Sequence, residues 1–258
     1  MKYLCILFLL ASCTDQSSTR LRMTSSSDDR LTNEQLDTIK LRPYKVQSEP
    51  AIFETAFFNG ATSAIEDTVK VQFYTLNIGK LKVETGELVA CDPVILHDSE
   101  PFIHQFPTGQ YPVHLAIAKT RNDQRVAFAR VYFSSNPVSK WEFALLKGQE
   151  NTSIFSDSIY GYGVDAGLGL FLDKAAAKAF NDLYDKDPGL FEKIFLDEMD
   201  KFDPHNHSCL LYDFNGHNLA AFSTGYGDGF YATYVGYDKQ GNICRLLTDF
   251  GVVEWLKK

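Results

Sequence analysis

The residues of this chain best suited to chemistry gather near its C-terminus. His205 and His207 lie two apart in Asp203-Pro204-His205-Asn206-His207, and residues at i and i+2 of an extended chain point to one side. Imidazoles so placed, joined by carboxylates, suit zinc or another divalent ion. The nearest carboxylates are Asp228, set in Gly225-Tyr226-Gly227-Asp228-Gly229, and Asp249 at the end of the last apolar run. His205, His207 and Asp228 are therefore the candidate metal ligands. Without a metal, Asp228, Asp249 and Asp165 remain candidates for carboxylate-driven acid–base work. The bland readings are equally good. Asp203 to His207 makes a polar turn after a helix, and an aspartate between glycines is what a tight turn requires.

Hairpin arithmetic positions these residues. Asn215-Gly216 is a strong two-residue turn signal. It pairs Phe214 with His217 and Ser208 with Ser223, leaving His205 and His207 at the open end beside the 225–229 loop. A glycine-containing turn at 238–242 sets Asp249 opposite Tyr231. All four candidates then converge on one rim of a sheet, while His217 sits seven strand residues away, roughly 23 Å. Tyr226 and Tyr231 border the same glycine loop and are candidate binding residues, because tyrosine is enriched at binding surfaces.

Further elements follow from periodicity. Helical spacing runs over 32–40 and over 50–58, the second with Ile52, Phe53, Ala56 and Phe57 inward. Period-two patterns mark short strands at 71–73, 81–83 and 88–90, a hairpin from 111–117 to 125–133, and a strand at 140–146. Asp173 caps one helix, and Asp187-Pro188 opens another. Strands at 208–214, 217–224, 230–237 and 243–250 close the chain. The expected fold is α+β, mainly antiparallel sheet, with a C-terminal four-stranded meander and a central helix pair.

Other suggestive spellings carry less. Gly161-Tyr162-Gly163-Val164-Asp165-Ala166-Gly167 lacks the spacing of a dinucleotide loop, so its glycines read as a tight backbone with Asp165 as a local acceptor. Asp249-Phe250-Gly251 stands without the other parts of a kinase. Cys91 with His97 or His104 spells a thiol nucleophile, but its apolar setting favours a buried structural thiol. Nothing calls for an organic cofactor; a divalent metal is the one inorganic candidate.

The chain has 258 residues, 45% hydrophobic and 22% charged, with net charge −8. An acidic chain without a basic block makes a poor nucleic-acid ligand. Lys2, then the apolar run Tyr3-Leu4-Cys5-Ile6-Leu7-Phe8-Leu9-Leu10, then Ala11-Ser12-Cys13, follow the order of a signal peptide. Eight apolar residues are too few to span about 30 Å of hydrocarbon. Leu10-Ala11-Ser12-Cys13 resembles a bacterial lipobox, in which Cys13 is lipidated and anchors the chain to the membrane. Residues 13–30, rich in Ser, Thr and Asp, then form a flexible tether. The expected organisation is a signal peptide over 1–12, a tether over 13–30 and one domain over 31–258. Of the remaining cysteines, Cys91, Cys209 and Cys244 allow at most one disulfide.

Several ordered segments resemble a bacterial domain-of-unknown-function family, number 4241. They are Cys91-Asp92-Pro93, Gly109-Gln110-Tyr111-Pro112-Val113, Arg125-Val126-Ala127, Trp141-Glu142, Gly163-Val164-Asp165-Ala166-Gly167, Thr224-Gly225-Tyr226-Gly227-Asp228-Gly229 and Asp249-Phe250-Gly251-Val252. The resemblance spans about residues 76–255, implies one domain, and brings no catalytic residues with it. The functional expectation is a lipid-anchored envelope module that binds a partner, a protein by loose analogy with immunity proteins, without catalysis. The alternative is an envelope hydrolase, metal-assisted or carboxylate-driven, with its site at the sheet rim.

Overall fold

Alternating apolar residues become long antiparallel strands. In a computed structural model, the chain is described over residues 50–65, 69–199, 201 and 208–256. Cys13, the tether, the 32–40 helix, His205 and His207 lie outside the described residues. An eight-stranded sheet is built from β1 (Thr62–Ile65), β2 (Val69–Val83), β4 (Gly109–Lys119), β5 (Gln124–Tyr132), β12 (Ile243–Asp249), β11 (Gly229–Tyr237) and β6 (Lys140–Phe143), in that spatial order. Its eighth strand, β7 (Gly161–Val164), pairs with the first half of β11 while β6 pairs with the second. A four-stranded sheet has the order β3 (Leu88–Cys91), β8 (Leu168–Asp173), β10 (His217–Ser223), β9 (Cys209–Phe214).

The inner strands of the small sheet, β8 and β10, are buried on both faces. Phe171, Ala220 and Phe222 pack with Leu115, Val131 and Leu246 of the large sheet. Their strand neighbours Leu170, Leu172 and Ala221 form a second core with Phe180, Ile194 and Met199. Burial on both faces explains the unbroken apolar runs of β8 and β10, which alternation alone does not flag. The covering helix is α2 (Lys174–Tyr184), capped by Asp173, whose carboxylate accepts from the Ala175 N–H. The second expected helix winds more widely, as a π-helical segment over Glu192–Glu198. Winding with i→i+5 bonds brings residues five apart into line, here Ile194 with Met199, both buried against the small sheet.

The C-terminal meander is corrected. Both hairpins form, with Phe214 opposite His217 as expected, but β9–β10 belong to the small sheet and β11–β12 to the large one. The 225–229 loop carries the chain between sheets. Gly225 makes the crossing at φ +44°, where a Cβ would lie 2.8 Å from the Phe250 carbonyl. A further slip occurs in the last hairpin. Ile243 pairs with Tyr237, yet Arg245 pairs with Gly236, so one extra residue, Cys244, bulges from β12. Asp249 is therefore opposite Ala232, one position from the expected Tyr231.

Short α1 (Ile52–Thr55) covers the outer face of the large sheet. Phe53 meets Phe128, Trp141, Tyr234 and Trp255 at centroid distances of 4.7–5.8 Å. Beside it Glu54, also buried, binds two buried guanidiniums. Arg245 reaches it through Nε at 3.0 Å and Nη2 at 3.2 Å, and Arg130 through Nη1 at 3.4 Å. Phe57 and Tyr132 stack on the cations, each 3.9 Å from a guanidinium carbon. Removing one partner of such a buried cluster leaves uncompensated charge, at a cost of about 3–5 kcal/mol. Glu54→Gln is therefore expected to lower unfolding free energy by about that amount in urea titration; a change below about 1 kcal/mol would show that water reaches the cluster.

Candidate functional site

Alternate residues of neighbouring strands share the outer face of the large sheet. Register places Phe128, Asp249 and Ala232 in one row, with Tyr234 and Phe143 paired in the next. Residues 251–256 fold back and set Trp255 against Tyr234, with ring centroids 6.2 Å apart and planes at 82°. Phe143 stacks on Tyr234 at 5.2 Å. These rings, with Ile154, Phe230 and Val253, wall a cleft of about 320 Å³ that Asp249 also lines. That volume lies in the range of small-ligand sites.

Asp249 is the polar anchor. It is 8% exposed. One oxygen accepts from the Gly251 N–H at 2.8 Å and the other from Trp255 Nε1 at 2.7 Å. Burial pushes its carboxyl up to about 6, against the pull of those two N–H bonds. The nearby Tyr234 phenol is also pushed up, first by burial and then by the Asp249 charge.

Of the other expected site residues that the structure describes, Tyr231 lines the cleft with Asp249, while Asp165, Asp228 and Tyr226 do not. Asp228 and Tyr226 sit exposed on the 225–229 loop and are absent from the cleft lining. Tyr226 has Arg125 above its ring at 5.4 Å. Tyr231 is buried, its hydroxyl donating to the Gly227 carbonyl at 2.7 Å, and its ring packs on Phe250. It is packed in the interior and also lines the cleft. The rim is split because β10 and β11 lie in different sheets and Asp249 faces away from the smaller one. Among the described residues, no group of three or more His, Cys, Asp or Glu side chains is placed to hold a metal ion.

Asp165 also acts differently from expectation. Its side chain is exposed, while its backbone N–H and that of Ala166 donate to Asp92 Oδ2, both at 2.7 Å. Asp92 caps a 3-10 helix over Pro93–Asp98 through the Val94 N–H as well. The Cys91-Asp92-Pro93 and Gly163–Gly167 segments are thus two halves of one structural lock. Cys91 is buried and its thiol is pushed up to about 12, first by desolvation, which keeps it protonated and unreactive. His104 is occupied by the Leu145 N–H and the Tyr237 hydroxyl, each at 3.1 Å. Cys91, Cys209 and Cys244 are all free thiols.

Tyr234 stands out in the sequence as one of several tyrosines near glycine-rich turns, with core packing as its default reading; Phe143 and Trp255 do not stand out as site residues. Phe143 joins the site through strand pairing, which periodicity leaves open, and Trp255 lies beyond the last strand, where no period operates. The chain belongs to the family described as "Protein of unknown function (DUF4241)", whose model matches residues 81–248. The match takes in every strand from β3 to β11 and stops one residue before Asp249. No curated protein and no solved structure matches the chain.

An acid with a folded pKa near 6 and an unfolded value of about 3.9 binds its proton more tightly when folded. Asp249 therefore contributes stability below about pH 4, and that contribution is lost as pH rises through about 6. Between pH 4 and pH 7, the stability of the wild type relative to Asp249→Asn is expected to fall by roughly 2 kcal/mol in urea titrations. A pH-independent difference would mean that Asp249 titrates as a solvent-exposed carboxylate.

Proposed function

We propose that the chain is a bacterial envelope protein, exported behind residues 1–12 and held at the membrane by lipidated Cys13. Its single domain over 31–258 then binds another molecule in the aromatic cleft without transforming it. The lipobox-like Leu10-Ala11-Ser12-Cys13 supports the anchoring. The cleft supports the binding role, having apolar walls around one buried polar anchor, the usual composition of a ligand site. Among the described residues no helix is long and apolar enough to cross the membrane, so the lipid on Cys13 is the attachment in this reading.

One observation favours a second reading, a carboxylate-driven envelope hydrolase: an acid held near 6 suits proton transfer at neutral pH. Sustained product release from an envelope ester or glycoside, abolished by Asp249→Asn, would establish it in place of binding alone. The metal-assisted form draws on His205, His207 and Asp228, of which Asp228 is absent from this cleft's lining.

Two experiments test the binding reading. Cells fed an alkyne-tagged fatty acid are expected to label the wild type and leave Cys13→Ser unlabelled; label in neither removes the anchor. Thermal-shift screening with neutral, anionic and cationic fragments is expected to give hits that Ala232→Trp, which fills the cleft, abolishes. No hit of any charge, or hits untouched by that substitution, would remove the cleft as the binding site.

A further inference from the structure

Among its described lining residues the cleft holds carboxyls and no base. Asp157, Asp249 and Glu254 line it, and among the described residues no Lys, Arg or His does. Asp249 is buried with no basic side chain among the described lining residues to balance it. A buried carboxylate without a cation is costly. Each of its oxygens accepts one N–H bond, whereas an ionised carboxylate has about four acceptor positions. The remaining positions call for further N–H donors, and a positive charge on those donors would offset the burial. An anion would be repelled here, and a neutral apolar ligand would leave the carboxylate as costly as before.

The walls agree with the floor. Phe143, Phe230, Tyr234 and Trp255 are aromatic, and the faces of aromatic rings attract cations. Ile154 and Val253 supply aliphatic contact for a methylene chain. Resting on the cleft being the binding site, we propose that it takes a primary alkylammonium group, its N–H donors on Asp249 and its chain against the aromatic and aliphatic walls. Such a group is found on a free amine and on a lysine side chain alike.

The charge logic brings a pH dependence. Gly251 N–H and Trp255 Nε1 face Asp249 from the returning tail, the Tyr234 phenol faces it from β11, and Asp157, Glu254 and the Tyr231 phenol complete the described titratable lining. The Tyr234 phenol, already pushed up, stays protonated between pH 5 and pH 7.5. An alkylammonium holds its charge throughout that interval. Protonating Asp249 removes the partner, so affinity should fall with acid.

The test titrates the full chain in detergent with n-butylammonium, butan-1-ol and butyrate, following the Trp255 indole N–H by NMR. Saturable binding of n-butylammonium at least tenfold tighter than butan-1-ol is expected, with none by butyrate. Affinity should drop about tenfold from pH 7.5 to pH 5, given a carboxyl near 6, and at least tenfold in Asp249→Asn. Should that variant not fold, the pH pair on the wild type and loss of binding in Ala232→Trp carry the test. Nα-acetyl-lysine methylamide binding as tightly as n-butylammonium would assign the group to a peptide, and weaker binding to a free amine. Equal affinity for the alcohol, or affinity indifferent to pH, overturns the ammonium assignment while leaving the cleft a binding site. Failure of every fragment in the thermal-shift screen removes the binding site itself.

Discussion

Glu54 between Arg130 and Arg245 is the constraint on which the outer half of the molecule depends. The two arginines come from adjacent central strands, β5 and β12, and the glutamate from a four-residue helix more than seventy residues upstream of either. A helix of one turn has little stability of its own. It holds its place because Glu54 is bound to two cations and Phe53 is packed among four aromatic rings. Phe53 in turn touches both Tyr234 and Trp255, so the charge cluster and the cleft share a wall.

A second set of polar locks ties the two sheets together. The buried Asn218 amide donates to the Lys80 carbonyl at 3.0 Å and accepts from the Lys82 N–H at 2.8 Å, imitating a paired strand. Asp173 caps α2 and also accepts from the Glu84 and Thr85 N–H groups. Asp92 does the same for the Asp165 and Ala166 N–H groups. Each is a buried carboxylate or amide with its partners supplied, which turns a costly burial into a specific join.

Local signals in the sequence were readable where the physics is local. Asn215-Gly216 set the β9–β10 register, and Asp173 marked the start of α2. Antiparallel sheet as the dominant element followed from period two. Sheet membership was not readable, because β10 and β11 look alike in pattern yet part at Gly225. Strands β7 and β8 were hidden for a related reason: their glycines fit a loop, and only pairing of β7 with β11 and of β8 with β3 and β10 makes them strands. At the site, Asp249 was visible as an acid ending an apolar run. Its burial, and the aromatic rings around it, depend on contacts among β6, β11 and the tail, which are distant in sequence. Asp165 and Asp228 were visible for the same compositional reason, yet both side chains are exposed.

The bulge at Cys244 has a consequence for how this hairpin tolerates changes in length. Cross-strand partners share a face, and the surplus residue is absorbed beside the turn, so every pair beyond it, from Arg245 with Gly236 to Asp249 with Ala232, is set by the ladder. Removing that residue would leave Asp249 opposite Ala232 and on the outer face beside Phe128. A bulge so placed works as slack: one residue can be gained or lost near the turn while the acid keeps its side of the sheet.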